Sequence, residues 1–131
     1  MKSNPESGGL APGRHEVTVP GWRPATINAL TKRGNHFSAS RLKEWDRIAV
    51  AVSSILIPKA IRRRRVSVEV TMAGRMKPVD PDAIWKSLLD ALVAAGLLVD
   101  DSANWVELGP FTQVRGAMKA TRITLEDMEE P

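Results

Sequence analysis

Asp80 and Asp82 stand one residue apart, Lys86 follows four residues after Asp82, and the doublet Asp100–Asp101 comes later in the same half of the chain. Pro81 lies inside the first pair, and a residue that precedes proline is pushed out of helical backbone. Asp80 therefore ends an extended stretch, in which side chains two apart share a side. Two carboxylates so placed can share a hard divalent cation, and Lys86 meets Asp82 on one helical face. A plainer use of the same residues is also open: Asp80 as a helix cap, Pro81 in the first turn, Asp82 complementing the dipole, and Asp82, Lys86 and Asp90 as a solvated stripe. The doublet favours a site. It follows the apolar run Leu97, Leu98, Val99 and precedes Trp105 and Val106, so its backbone is expected near the core, where adjacent acids repel unless something positive neutralises them.

The chain has no cysteine, and its two histidines, His15 and His36, are too far apart for a short-spaced ligand pair. Thiolate sites and disulfides are excluded, and a bound metal would rest on oxygen, which favours Mg2+ or Mn2+. The formal charge is +4 over 131 residues. Basic residues cluster at Arg62, Arg63, Arg64 and Arg65, with Lys32 and Arg33 upstream and Arg75 and Lys77 downstream. A phosphate-rich partner suits that pattern. The arginine run also suits an edge strand guarded against aggregation by charge.

These residues need elements to position them. Residues 1–15 are rich in Ser, Gly and Pro, with little to bury, and are expected to form a flexible tail. Alternation at Val17 and Val19 predicts a first strand, ended by Pro20 and Gly21. A loop from Trp22 to about Ser38 leads to a helix capped by Ser38 or Ser40, with Leu42, Trp45, Ile48, Ala49, Val52, Ile55 and Leu56 as its apolar positions and Pro58 as its stop. Val66, Val68, Val70 and Met72 alternate with polar residues as a strand with one buried face. A second helix begins at Asp80–Pro81, carries Ile84, Leu88, Leu92 and Ala95 inward and ends at Gly96. Strands follow near Asn104–Leu108 and Lys119–Leu125, and the acidic end, 127–131, is expected to fray. The expectation is one α+β domain over 16–126, a mixed sheet packed with two main helices in the order β-α-β-α-β-β. The four tryptophans, Trp22, Trp45, Trp85 and Trp105, suit core or interface anchors. The start of the chain does not read as a leader, and no window has the apolar length of a membrane span, so the chain reads as cytoplasmic with no membrane partner.

Asp80-Pro81-Asp82, Lys86, Leu89-Asp90-Ala91-Leu92, Gly96 and Asp100-Asp101 together resemble, in order and spacing, the signature of RusA-like Holliday junction resolvases. The similarity extends more weakly to Val17, Val19, Pro20, Pro24, Asn28, His36, Ser38 and Ala39. The resemblance implies a dimeric, Mg2+-dependent endodeoxyribonuclease acting on branched DNA, above all the four-way junction. It implies that Asp80, Asp82 and Asp101 hold the metal, with Asp100 as a further candidate, and that Lys86 is needed for cleavage. The sequence departs from the pattern at Ala83, where relatives commonly carry asparagine.

Because a helix of about fourteen residues is roughly 21 Å long and the five residues after it span at most about 17 Å, closure of Asp101 onto Asp80 is marginal within one chain. A shorter helix, a site part way along it, or a dimer interface are the three solutions. A junction with two-fold symmetry cut by two symmetric nicks calls for a two-fold dimer, with the arginine run serving a basic surface that grips phosphates. Three other readings stand beside this one: a non-catalytic nucleic-acid-binding dimer whose site decayed, a nuclease for flaps, forks or duplex, and a domain whose acids are only caps and surface pairs.

Overall fold

The computed structural model describes residues 13–24 and 36–128, with side chains of the first helix from Lys43 onward. Its elements are β1 (Arg14–Pro20), α1 (His36–Ser53), β2 (Arg64–Met72), α2 (Asp82–Ala94), β3 (Val106–Arg115) and β4 (Ala120–Asp127). The order is the expected one, and the domain is α+β. The four strands form one mixed sheet in the order β1-β4-β2-β3. β4 runs antiparallel to both β1 and β2, whereas β2 and β3 are parallel, and parallel neighbours need a crossover, which α2 supplies.

Alternation sets the burial. From Arg64 to Met72 every second residue of β2 is buried, so Val66, Val68 and Val70 face inward beside Ile123 and Leu125 of β4 and Val17 and Val19 of β1. Ile84, Leu88 and Leu92 of α2 complete this core, spaced by four on one helical face. Trp85 joins it edge-on to Phe111 of β3, with ring centroids 5.8 Å apart. Gly96 ends α2 as expected, at φ +79°. Gly96 N–H donates to Val93 C=O, and Leu97 N–H to Leu92 C=O, a paired closure that needs left-handed backbone at the glycine.

Several boundaries differ from expectation. β1 starts at Arg14, two residues early, and β4 runs through Asp127, into the stretch expected to fray. α1 begins at His36, before Ser38 and Ser40, and ends at Ser53, well short of Pro58. The Ser54 hydroxyl donates to the Val50 carbonyl at 2.6 Å; such back-bonding competes with continuation of a helix. Ile55 and Leu56 thus lie past its end. β3 continues through Gly109 and Pro110, where a register shift opposite Val66–Val68 takes up the irregularity. A proline is tolerated there because β3 is an edge strand. β2 is central, not an edge, which removes the edge-guard explanation of the arginine run.

Among the described residues, no helix is long and apolar enough to cross a membrane. The expected tail through residue 12, and residues 129–131, lie outside the described residues.

Candidate nucleic-acid and metal site

The loop from β2 to α2 delivers Asp80 and Asp82. Gln113 of β3 fixes its approach: Val79 N–H donates to Gln113 Oε1 and Gln113 Nε2 donates to the Val79 carbonyl, both at 2.8 Å. This two-point clasp holds the peptide directly before Asp80. Asp80 Oδ1 accepts the Asp82 N–H at 3.1 Å, a local turn contact that engages one carboxylate oxygen; the helix itself starts at Asp82 with Pro81 at the cap position and no side-chain cap hydrogen bond, so Asp80 is not the cap expected of it. Both carboxylates and Lys86 are exposed.

Cations gather at this end of the sheet, though not those of the arginine run. Arg75 and Lys77 are exposed in the same loop. Arg23 Nη1 donates to the Lys77 carbonyl, and Arg115 Nη1 to the Gly74 carbonyl, each at 3.0 Å. Arg23 and Arg115 were not singled out from the sequence. Neither lies in a charge cluster, and only the pairing of Met72 with Arg115 across β2 and β3 brings the latter here.

The arginine run sits at the opposite end of β2, about 26 Å away along an extended strand. Arg64 faces inward at 2% exposure, so it is withdrawn from the DNA-contacting set. Its Nε donates to Asp127 Oδ1 at 2.7 Å, Nη1 to the Leu97 carbonyl and Nη2 to the Pro58 carbonyl, each at 3.0 Å. Alternation explains the placement, since Arg64 shares the inward phase of Val66 and Val68. Burial raises the Asp127 carboxyl, but the Arg64 hydrogen bond and charge, with His15 at 3.6 Å, outweigh it and hold the group below the usual carboxylate range. Arg63 and Arg65 point to the outer sheet face and flank Glu107, at 4.0 and 3.4 Å. Arg62 is exposed. Lys32 and Arg33 fall outside the described residues.

Asp100 and Asp101 are not near the core as expected; both are exposed. Leu97 and Leu98 are buried, but the chain leaves the interior at Val99, 41% exposed, and solvent screens the doublet's repulsion. The two acids line a recess of about 420 Å3 with Arg47, Asp90, Val93 and Ala94, beside the C-terminal half of α2. Asp80 and Asp82 stand at its N-terminus. Across the thirteen residues of α2 the rise is about 18 Å. Among the described residues, no three His, Cys, Asp or Glu side chains come together as a metal-holding group, so a single subunit does not bring Asp101 to the Asp80–Asp82 pair. The pair alone fits Mg2+ in donor chemistry, since that ion takes one or two carboxylates and completes its shell with water and substrate phosphate.

Comparison with protein-family models and with curated proteins finds no match to this chain.

Proposed function

We propose that the protein is a Mg2+-dependent endodeoxyribonuclease for branched DNA, the four-way junction above all, working as a two-fold dimer. The observation that supports this best is the carboxylate pair Asp80–Asp82, clasped in place through Gln113 and bordered by Arg23, Arg75, Lys77 and Arg115. Hydrolysis of a phosphodiester needs an activated water and relief of charge on phosphate and leaving oxygen, which a carboxylate-held metal supplies. In this reading Asp80 and Asp82 would hold the ion, and Lys86, one helical turn on, stabilises the charge that builds on the phosphate. The cations on either side grip flanking phosphates without reading bases.

The separation along α2 favours one of the three ways to involve Asp101: Asp101 of the partner subunit completes the pair. A dimer then carries two composite sites, matching two nicks. The test is cleavage of a labelled four-way junction with and without Mg2+. Asp80→Asn and Asp82→Asn should each lower cleavage by at least about 100-fold while junction binding persists. Mixing Asp82→Asn with Asp101→Asn should restore part of the lost activity, because a mixed dimer has one site free of both substitutions. No restoration would remove the composite site, and cleavage retained by Asp82→Asn would remove this aspartate from the chemistry.

A second reading has its own observation. Ala83 stands where the resemblance implies asparagine, and the three acids do not gather within one subunit. Both features suit a dimer that binds branched DNA without cutting it. Metal-independent binding with no nicking in Mg2+ or Mn2+ would select it.

A further inference from the structure

α1 and α2 share one core with the inward face of the sheet; among the described residues no element covers the other face. On that outer face, pairing sets Ser67 of β2 directly opposite Thr124 of β4. Beside Ser67 the register shift leaves Gly109 and Pro110 of β3 without partner residues. A recess of about 190 Å3 results. Ser67 and Thr124 line its middle, Arg14 of β1 one side, Pro110 and Thr112 of β3 the other, and Arg122 and Glu69 the row above.

The hydroxyls are the unusual feature. Cross-strand Ser–Thr pairs commonly bond to each other, yet among the described residues neither Ser67 nor Thr124 makes a side-chain hydrogen bond, whereas Thr112 Oγ1 donates to the Val68 carbonyl at 3.4 Å. Thr124 is 9% exposed, and a hydroxyl so buried is destabilising unless something completes it. Among the described residues the sealed side-chain polar atoms without a partner are Arg63 Nε and Arg65 Nε, so the Ser67 and Thr124 oxygens open into the recess. Arg14 likewise forms no ion pair among the described residues. Arg122 is partly engaged: Nη2 donates to Glu69 Oε1 at 3.0 Å and Nε lies 3.9 Å from Glu16 Oε2, which leaves Nη1 free. Donors therefore dominate the recess, and a ligand that completes them must be rich in acceptors.

The geometry points to an oxyanion site on the open face of the sheet, taking a phosphate group between Arg14, Ser67, Thr124 and Nη1 of Arg122. Guanidinium and hydroxyl donors are suited to such a group. Phosphate can come from a small phosphomonoester or from a nucleic-acid backbone. The neighbouring row favours the small molecule: Arg14, Glu126, Arg65 and Glu107 follow one another across the four strands with alternating charge, and a backbone would need a continuous cationic path. The volume agrees, being below the ~300–1,000 Å3 of pockets for drug-sized ligands. Glu126, directly opposite Arg14, opposes an anion and limits its affinity. The site stands apart from the nuclease reading, since it lies on the face of the sheet away from α2 and uses none of the residues of the Asp80 loop.

The experiment is calorimetric titration of the full chain with inorganic phosphate, and separately with a short duplex lacking terminal phosphates, at one ionic strength. The wild type should bind inorganic phosphate saturably at one site per chain. Thr124→Val should weaken that binding by at least about 10-fold without lowering the thermal midpoint in phosphate-free buffer, because the hydroxyl has no partner in the fold. Thr124→Ser, which keeps a hydroxyl, should retain most of the affinity. Arg14→Gln should weaken binding by about 10-fold, and Glu126→Gln should tighten it by about 2–5-fold. Absence of saturable phosphate binding, or an affinity unmoved by Thr124→Val, overturns the inference. Thr124→Val that weakens the duplex instead of phosphate overturns the small-molecule assignment and gives the recess to the DNA backbone. Junction cleavage on the same variants keeps the two readings distinguishable: phosphate binding without nicking removes the nuclease and leaves this site standing.

Discussion

At the scale of single residues, the buried Arg64 is the costliest side chain to misplace. Its guanidinium joins four parts of the chain, β2, the Pro58 segment, the turn after α2 and the end of β4. Removing one partner leaves an uncompensated buried charge. Asp127→Asn should therefore destabilise the fold by about 2–4 kcal/mol, read as a shift of the urea midpoint with unchanged slope. Its pH signature follows from the lowered carboxyl. A carboxyl depressed in the folded state stabilises fully above its unfolded value near ~3.9 and loses that contribution as pH falls through the folded value. The wild type should thus weaken on acidification below about pH 4, and Asp127→Asn should flatten that part of the profile. Gln113 acts at the same scale but through geometry. In the proposed nuclease, with its clasp on Val79 removed, Gln113→Ala should lower kcat for junction cleavage by about 10–100-fold, as loss of a supporting hydrogen bond does at metal sites, with KM little changed. A parallel rise in KM would mark a binding role instead.

At the scale of elements, the edge strand β3 depends on a close approach at Gly109. A Cβ there would stand 2.5 Å from Ser67 Oγ and 3.1 Å from the Val66 carbonyl. Gly109→Ala should cost about 1–3 kcal/mol, and Ser67→Ala in the same chain should recover part of it in thermal melts; full additivity would contradict the contact. The legibility of the elements follows the same physics. Strand β2 and the inward face of α2 were plain from periodicity, because burial on one face is what periodicity records. The strand expected near Asn104–Leu108 stops short of Gly109–Pro110, through which β3 continues, since a bulge on an edge is invisible without its neighbour. α1 read as a helix with an apolar stripe, because pattern identifies apolar positions without saying what covers them. Of the candidate site, the Asp80–Asp82 pair and Lys86 were legible through local spacing. Gln113, Arg23 and Arg115 were not, since they reach the β2–α2 loop only through sheet pairing and long-range hydrogen bonds. Arg64 was taken for a surface charge because three arginines adjoin it, although its phase in β2 already points it inward.

At the scale of the whole molecule, charge is divided between two ends of one sheet. Arg75, Lys77 and Arg115 flank the Asp80 loop, while Arg63 and Arg65 are engaged with Glu107 at the other end. The proposed DNA path follows the first group. Lys77→Ala should reduce the slope of log affinity against log salt by about 1, whereas Arg63→Ala should leave it nearly unchanged; equal effects would place DNA along the whole sheet. The topology carries a different implication, for how the chain acquires its shape. β4, which follows the other described strands in chain order, is not at the margin but wedged between β1 and β2, bonded to both along its length. Until it emerges from the ribosome, β1 has no partner in the sheet and Arg64 lacks its carboxylate. Such distant pairings make for slow folding, and a nascent chain stalled before Ala120 would hold two unzipped halves, a natural client for chaperones.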